Sequence, residues 1–393
     1  ANAWFLDRTA KIRDLEATRY AVFLRPRRFG KSLLVTMLHA YYDVNFAGRF
    51  EEFFAGTDIG ANPTEEHGKY LVMKFDFSAV SKNASEVQDS FDEYAALRVN
   101  TFAREYAHRL PEGLSERILN ARGSCAKLNV AFAGLAHTST KLYVLIDEYD
   151  SPINYAATHG FGEEALQFFR NFLSGAMKDG EHCRLGVITG ILRVAKEGVL
   201  SGLNNPKVYS VFDDAFSDCF GFTEEEVRGM LATFGHPEKI DEAKGWYDGY
   251  RFGGCEIYNP WSLLNYVDDG FTPKAYWLST SSNDLVGDVL SRLSPEMRDT
   301  IANLFEKKEG NATLSPDLGP YGLIQDNEEI LWSLLVHTGY LKVTSGPDAN
   351  GTATLAFPNR EAARVFRDDI LARMKSQPSG QFVGRLTRAL SSG

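Results

Sequence analysis

A short apolar strand that runs through Gly-Lys-Ser straight into an apolar helix leaves a chain few folds to choose from. Tyr20-Ala21-Val22-Phe23-Leu24 is an unbroken apolar run, the pattern of a strand covered on both faces of a parallel sheet. Leu33-Leu34-Val35-Thr36-Met37-Leu38-His39-Ala40-Tyr41 has the apolar density of a helix packed on that sheet. Between them lies Arg25-Pro26-Arg27-Arg28-Phe29-Gly30-Lys31-Ser32. A strand, a loop ending in Gly-Lys-Ser and a helix aim backbone N–H groups and a helix N-terminus at an anion. Lys31 then reaches the β- and γ-phosphates of a nucleotide, and the Ser32 hydroxyl meets Mg²⁺. The pattern departs from G-x-x-x-x-G-K-[ST] at its first glycine, where this chain has Arg25. A bare Gly-Lys-Ser is weak by itself, and the alternative is a basic turn with a chance triplet.

A second segment weighs against chance. Leu142-Tyr143-Val144-Leu145-Ile146 ends in Asp147-Glu148-Tyr149-Asp150. A buried strand delivers its last side chains to the carboxyl edge of the sheet, where the ligand crevice of an open α/β sheet lies. Asp147 there can hold hydrated Mg²⁺, and Glu148 can orient and deprotonate an attacking water. Phosphoryl transfer asks the protein mainly for positioning and charge neutralisation, which this set supplies.

Composition narrows the partners. With 393 residues, 44% of them hydrophobic, the chain can bury the cores of two or three domains. A net charge of −10 argues against a surface that coats nucleic acid broadly. No apolar run is long enough for a membrane span, and the N-terminal residues do not read as a signal peptide. Cys125, Cys183, Cys219 and Cys255 have no C-x-x-C spacing and no histidines beside them. They read as small buried hydrophobes in a reducing, cytoplasmic or nuclear setting, not as a metal site.

Residues 1 to about 220 alternate strand and helix. Strands are expected at 20–24, 70–77, 142–146 and 184–190, with an edge strand at 208–211. Helices are expected at about 32–42, 84–108, 112–136 and 162–179. The expectation is an α/β fold with a mainly parallel sheet flanked by helices. Thr223 and Glu226 form a capping-box pattern, and helices then dominate to about 340. Residues 339–344 and 352–357 flank Ser345-Gly346-Pro347-Asp348-Ala349-Asn350-Gly351, a hairpin with a flexible tip. After a helix at 328–337, that hairpin suggests a winged helix.

These motifs together resemble the predicted AAA-ATPase-like family of P-loop proteins, many of which carry a C-terminal PD-(D/E)XK nuclease-like domain. The resemblance rests on Phe5-Leu6-Asp7-Arg8-Thr9, the loop Leu24 to Leu33, Asp76-Phe77-Ser78 and Leu145 to Pro152. It continues through Ser201 to Asn205, Trp246 to Tyr250, Tyr258 to Ser262, Tyr276 to Ser281, Leu334 to Tyr340 and Phe357 to Glu361. In that family an arginine at the first-glycine position is ordinary. The resemblance implies a P-loop core over 1–221, a helical lid with aromatic loops over 222–284 and a winged-helix-like region over 285–393. No nuclease module fits in the residues that remain. It implies Mg²⁺-dependent ATP hydrolysis, with Arg25, Pro26, Arg27, Arg28, Phe29, Gly30, Lys31, Ser32 and Leu33 around the nucleotide. Ser32 and Asp147 would hold the metal, Glu148 would be the base, and Thr189 and Arg193 would face the γ-phosphate.

Alternatives stand beside several of these assignments. Thr189 also reads as a β-branched strand filler, and Arg193 as a surface ion pair or a residue acting across a subunit boundary. Side chains of Arg25, Arg27 and Arg28 have Asp7 or Asp76 as candidate partners. Asp76 and Ser78 lie near the P-loop strand if strand order is ordinary, and Ser78 reads as a helix N-cap. Asp150 and Tyr149 read as structural, with Asp150 capping the following turn. The aromatic blocks at 246–250 and 258–261 read as core and turn elements, against a base-stacking platform. Two functional alternatives stay open: a nucleotide-gated switch with little hydrolysis, regulating a nuclease domain or partner protein, and a DNA- or RNA-binding module using Arg360, Arg364, Arg367, Arg373 and Lys375. An oligomer is compatible with either.

Overall fold

The apolar run Tyr20–Leu24 is strand β1, and all of its side chains are buried. Successive strand residues point to opposite faces, so both faces of the sheet are covered there. The computed structural model describes residues 5–80, 87–136, 138–158, 167–173, 183–193, 205–277, 294–315 and 327–374. Within them the chain forms two compact units. One spans Phe5–Leu24 and Lys31–Tyr209, the other Arg25–Gly30 and the chain from Ser210.

The first unit is a parallel sheet flanked by helices. β2 is Tyr70–Asp76, β3 Lys141–Asp147, β4 Cys183–Gly190 and β5 Lys207–Tyr209. Their order is β2-β3-β4-β1-β5, and every pairing is parallel. The chain leaves β1 toward β2 on one side and leaves β4 toward β5 on the other. The switch point of the topology is therefore at the carboxyl ends of β1 and β4, where open α/β sheets form their ligand crevice. Helices Lys31–Tyr42, Val87–Glu105, Leu114–Asn120, Ser124–Leu135 and Ser151–Thr158, with helical residues 167–173, accompany the sheet. The core is rich in aromatic rings, with Phe77, Phe91, Phe169 and Phe172 in mutual contact.

Two expectations change here. The helix expected over 112–136 is two helices, because Gly123 takes a left-handed φ of 78°. The Asp92 carboxylate then accepts the Ser124 N–H at 2.8 Å and caps the second helix from a distance. Lys127 donates to the Ile118 and Leu119 carbonyls at 3.0 and 2.8 Å and closes the first. Asp76 is not beside the P-loop strand. It is in register with Asp147 on β3, with β3 and β4 separating β2 from β1. Asp76, not Ser78, is the cap of the following turn: it accepts from the Ser78 N–H at 3.1 Å and the Ser78 hydroxyl at 2.6 Å.

In the second unit the capping box at Thr223 forms, with Glu226 accepting the Thr223 N–H at 2.7 Å. Helices Glu224–Thr233, Ile240–Tyr247, Pro260–Asp268, Pro295–Glu306, Glu328–His337 and Arg360–Met374 are interrupted by more sheet than the sequence suggested. β6 (Tyr250–Phe252) and β7 (Cys255–Ile257) form a tight hairpin about Gly253-Gly254. β8 (Gly310–Thr313) joins the expected hairpin, β9 (Lys342–Ser345) and β10 (Thr352–Ala356), in an antiparallel sheet ordered β8-β10-β9. Tyr247, Tyr250 and Tyr258 are buried, as the structural reading of the aromatic blocks expects. Lys375, residues 201–204 and residues 278–281 lie outside the described residues.

A pH dependence is expected in this unit from one buried acid. Glu361 is fully buried and accepts the Trp277 N–H through Oε1 at 3.0 Å. Its Oε2 has no hydrogen-bond partner among the described residues. Burial pushes its pKa up to about 7, against the opposing pull of the Trp277 N–H. The folded state therefore holds a proton that the unfolded state has released. The stability this gives is complete below the ordinary carboxyl pKa of 4.5 and is lost as pH rises through about 7. Glu361→Gln keeps the neutral form at every pH. At pH 8 it is expected to stabilise the second unit by up to about 3 kcal/mol. Denaturant titrations of both proteins at pH 5 and pH 8 check this; an equal difference at the two pH values would contradict it.

Candidate nucleotide site

The loop after β1 owes its course to two left-handed residues, Arg28 at φ 70° and Gly30 at φ 92°. A Cβ at Gly30 would meet nothing within 4 Å. Glycine is suited there by backbone conformation, not by space. Lys31 opens the next helix and is buried, whereas Ser32 and Leu33 are exposed. The helix has no acidic residue in its first turn, which leaves its positive end uncompensated for an anion.

The loop's side chains are held within the second unit. Arg25 is fully buried, donating to the Phe216 carbonyl at 3.2 Å with its guanidinium over the rings of Phe220 and Phe252. Burial lowers its pKa to about 10. Phe29 meets Tyr250 and Phe252 edge-on at centroid distances of 4.9 and 5.1 Å. Arg28 stands 4.3 Å over the Trp261 ring. Pro26 packs against Gly339. The carboxylates expected as arginine partners are otherwise engaged. Asp7 accepts from Thr9 N–H, Thr9 hydroxyl and Asp58 N–H at 2.8, 2.6 and 2.6 Å. Asp76 is taken up by Ser78.

The acidic end is built on neighbouring strands. Asp147 ends β3, and Thr189 lies one residue from the end of β4, paired with Phe23 of β1. The Thr189 hydroxyl donates to Asp147 Oδ1, which also accepts the Glu148 N–H at 3.1 Å. Asp147 Oδ2 takes no hydrogen bond from the described residues. Glu148 then adopts a left-handed φ of 51°, uncommon outside glycine. Its strain is held by hydrogen bonds on either side. The Tyr149 N–H donates to the Thr189 carbonyl at 3.0 Å, and the Ser151 N–H to the Glu148 carbonyl at 3.1 Å. The chain thus turns off the sheet at Glu148. Glu148 is half-buried.

Sequence reasoning pairs Asp147 with Glu148 and names Thr189 apart from them; the structure joins all three. It did not foresee that the Thr189 hydroxyl is bound to Asp147, nor that Asp150 reaches the residues after β4. A carboxylate three positions beyond Asp147 was the available signal. Arg193 lies three residues beyond the end of β4, half-buried. Arg367, one of the candidate nucleic-acid contacts, pairs with Asp368 at 2.7 Å.

The residues present fit a magnesium ion brought in with a nucleotide. Among the described residues no three His, Cys, Asp or Glu side chains gather to hold a metal. Mg²⁺ bound with a nucleotide needs only one or two protein ligands, the rest being phosphate and water oxygens. Asp147, whose Oδ2 takes no hydrogen bond from the described residues, and the exposed Ser32 hydroxyl have the oxygen chemistry for that part. Among the described residues no helix is long and apolar enough to cross a membrane.

The protein is similar to one described as "Uncharacterized protein in vnfD 5'region" from Azotobacter chroococcum mcd 1. The two are 27% identical over 383 residues, covering 96% of this chain and 68% of that protein. Among solved structures, the crystal structure of CDC6P from Pyrobaculum aerophilum aligns over 96% of this chain and 97% of that chain. It is 10% identical with a TM-score of 0.29. A family model described as Predicted AAA-ATPase, AAA-ATPase_like, matches residues 1–200, which include the loop, both acidic residues, Thr189 and Arg193. The chain therefore belongs to the AAA-ATPase-like family of predicted AAA-ATPases.

Proposed function

We propose that the chain binds ATP with Mg²⁺ and hydrolyses it at the loop 25–33. The observation that carries this reading is the joined set of Asp147, Glu148 and Thr189 at the carboxyl end of the sheet, at the topological switch point. Lys31 and the loop amides would bind the phosphates, and Ser32 and Asp147 would hold Mg²⁺. Glu148 would take the proton of the attacking water, and Thr189 would keep Asp147 oriented toward the metal. Bound Mg²⁺ supplies neutralisation of phosphate charge. Arg193 would neutralise charge as it develops on the γ-phosphate. ATP titrations of wild type and Lys31→Ala by calorimetry test the site. Binding is expected in the first and at least tenfold weaker in the second; equal affinities would sink the assignment.

The packing of the loop's own side chains favours a second element of this reading, a nucleotide-responsive output. Arg28 and Phe29 are bound to Trp261, Tyr250 and Phe252. Phosphate binding that reshapes the loop would disturb those ring contacts directly. Addition of Mg²⁺ and ATP is expected to change tryptophan fluorescence, and Trp261→Phe is expected to remove most of the change. A full signal in that variant would locate the response elsewhere. The organisation proposed is a P-loop core over 1–221, a lid over 222–284 and a winged-helix-like region over 285–393. Helix Glu328–His337 followed by the hairpin β9-β10, with the earlier strand β8 paired to β10, supports the last of these. The family resemblance supports regulation of a nuclease or a nucleic-acid transaction as the output.

A further inference from the structure

Asp150 is a buried carboxylate that the chemistry above does not use. It is 2% exposed. Its Oδ2 accepts the N–H of Ile191 at 3.0 Å and of Leu192 at 2.8 Å, and lies 3.3 Å from Asn154 Nδ2. Among the described residues none of these donors is charged. A carboxylate removed from water is costly to keep unless it is well hydrogen-bonded. Two backbone N–H groups converging on one oxygen meet that need and at the same time fix the backbone that supplies them.

The backbone so fixed is the turn that leads to Arg193. β4 ends at Gly190, and Ile191 and Leu192 follow it. Tyr149 adds a third restraint by donating its hydroxyl to the Leu192 carbonyl at 2.6 Å. Gly190 is closely covered by the same two side chains. A Cβ there would lie 2.5 Å from the Tyr149 ring and 2.8 Å from Asp150 Oδ1. The segment 147–150 is thus bound along 189–192 from end to end. Asp147 holds Thr189, the Tyr149 N–H meets the Thr189 carbonyl, and Asp150 holds Ile191 and Leu192.

We propose that Asp150 is a positioning residue that sets where Arg193 stands relative to Asp147 and Glu148. One short segment then fixes both the metal side and the arginine side of the reaction, so neither can shift without the other. The proposal rests on the ATPase reading of Arg193 given above. A carboxylate that merely stopped β4 from fraying would stabilise the fold without any special link to Arg193.

The test is a double-mutant cycle in the full chain, reading kcat and KM for ATP together with thermal unfolding. Asp150→Ala is expected to lower kcat at least about tenfold while KM moves less than about threefold. Asp150→Asn keeps an oxygen acceptor and is expected to restore most of the rate. In an Arg193→Ala background, Asp150→Ala is expected to have almost no further effect, because the residue it acts through is gone. An equal loss in both backgrounds would overturn the proposal, as would failure of Asp150→Asn to restore the rate. Should Asp150→Ala not fold, Tyr149→Phe removes only the restraint on Leu192. It is expected to lower kcat severalfold in wild type and not in Arg193→Ala. A normal kcat for Arg193→Ala would remove the residue through which Asp150 is said to act and so overturn the proposal too. Should wild type bind ATP without turnover, the hydrolysis assignment fails separately. The same cycle is then read on ATP affinity, where coupling supports the proposal and additivity overturns it.

Discussion

Glu148→Gln is expected to bind ATP about as well as wild type and to hydrolyse it about 10² to 10⁴ times more slowly, the usual contribution of a positioned general base. The substitution is nearly isosteric and leaves the backbone interactions that hold residue 148 in its left-handed conformation. Asp147, Thr189 and the loop are untouched, so the metal and phosphates keep their partners. Only the proposed proton acceptor is lost. Steady-state phosphate release measures the rate, and calorimetry on the same samples measures affinity. Turnover within twofold of wild type would remove Glu148 from the chemistry.

Arg193→Ala is expected to lower kcat by about 10³, the lower end of what an arginine at the transferring phosphate contributes. ATP affinity is expected to change far less, since the charge Arg193 is proposed to answer develops in the transition state. Arg193→Lys is expected to recover only part of the rate. A compact ammonium on a different stem cannot reproduce the planar fork of a guanidinium held at the end of a fixed turn. A large loss of affinity with kcat unchanged would instead make Arg193 a ground-state phosphate ligand.

The elements that carry the candidate site were legible where they lie in contiguous sequence. The run Tyr20–Leu24 into Gly-Lys-Ser and the run Leu142–Ile146 into Asp147-Glu148 each carry strand, turn and functional group within about ten residues. Hydrophobic periodicity places such segments without help from the rest of the chain. Strand order was not legible in that way. Asp76 was placed near the P-loop strand, whereas β3 and β4 stand between β2 and β1. Pairing among parallel strands depends on crossovers that leave no local signature. The break at Gly123 was missed because Asp92, well upstream, caps the helix that begins at Ser124. The hairpin β6-β7 is only three residues on each side, too short for alternation to register, though Gly253-Gly254 was a turn signal.

Side-chain destinations followed the same division. Arg25 looked like a charge aimed at phosphate or a nearby acid. The structure buries its guanidinium against Phe220 and Phe252, residues far along the chain. Asp150 looked like a local cap, and its real partners at 191–192 sit on a different strand's exit. Spacing alone could not have found either. Thr189 was recognised as polar at a strand end, but its partner Asp147 required knowing that β3 and β4 are neighbours.

Phosphate release from ATP by the wild-type chain, with and without Mg²⁺ and with ATP binding titrated on the same preparation, bears most directly on the proposed activity. The predicted result is saturable release that requires Mg²⁺, with binding at least tenfold weaker and release lost in Lys31→Ala. Binding without release would make the chain a nucleotide-gated switch, and no binding at all would contradict the assignment of the loop.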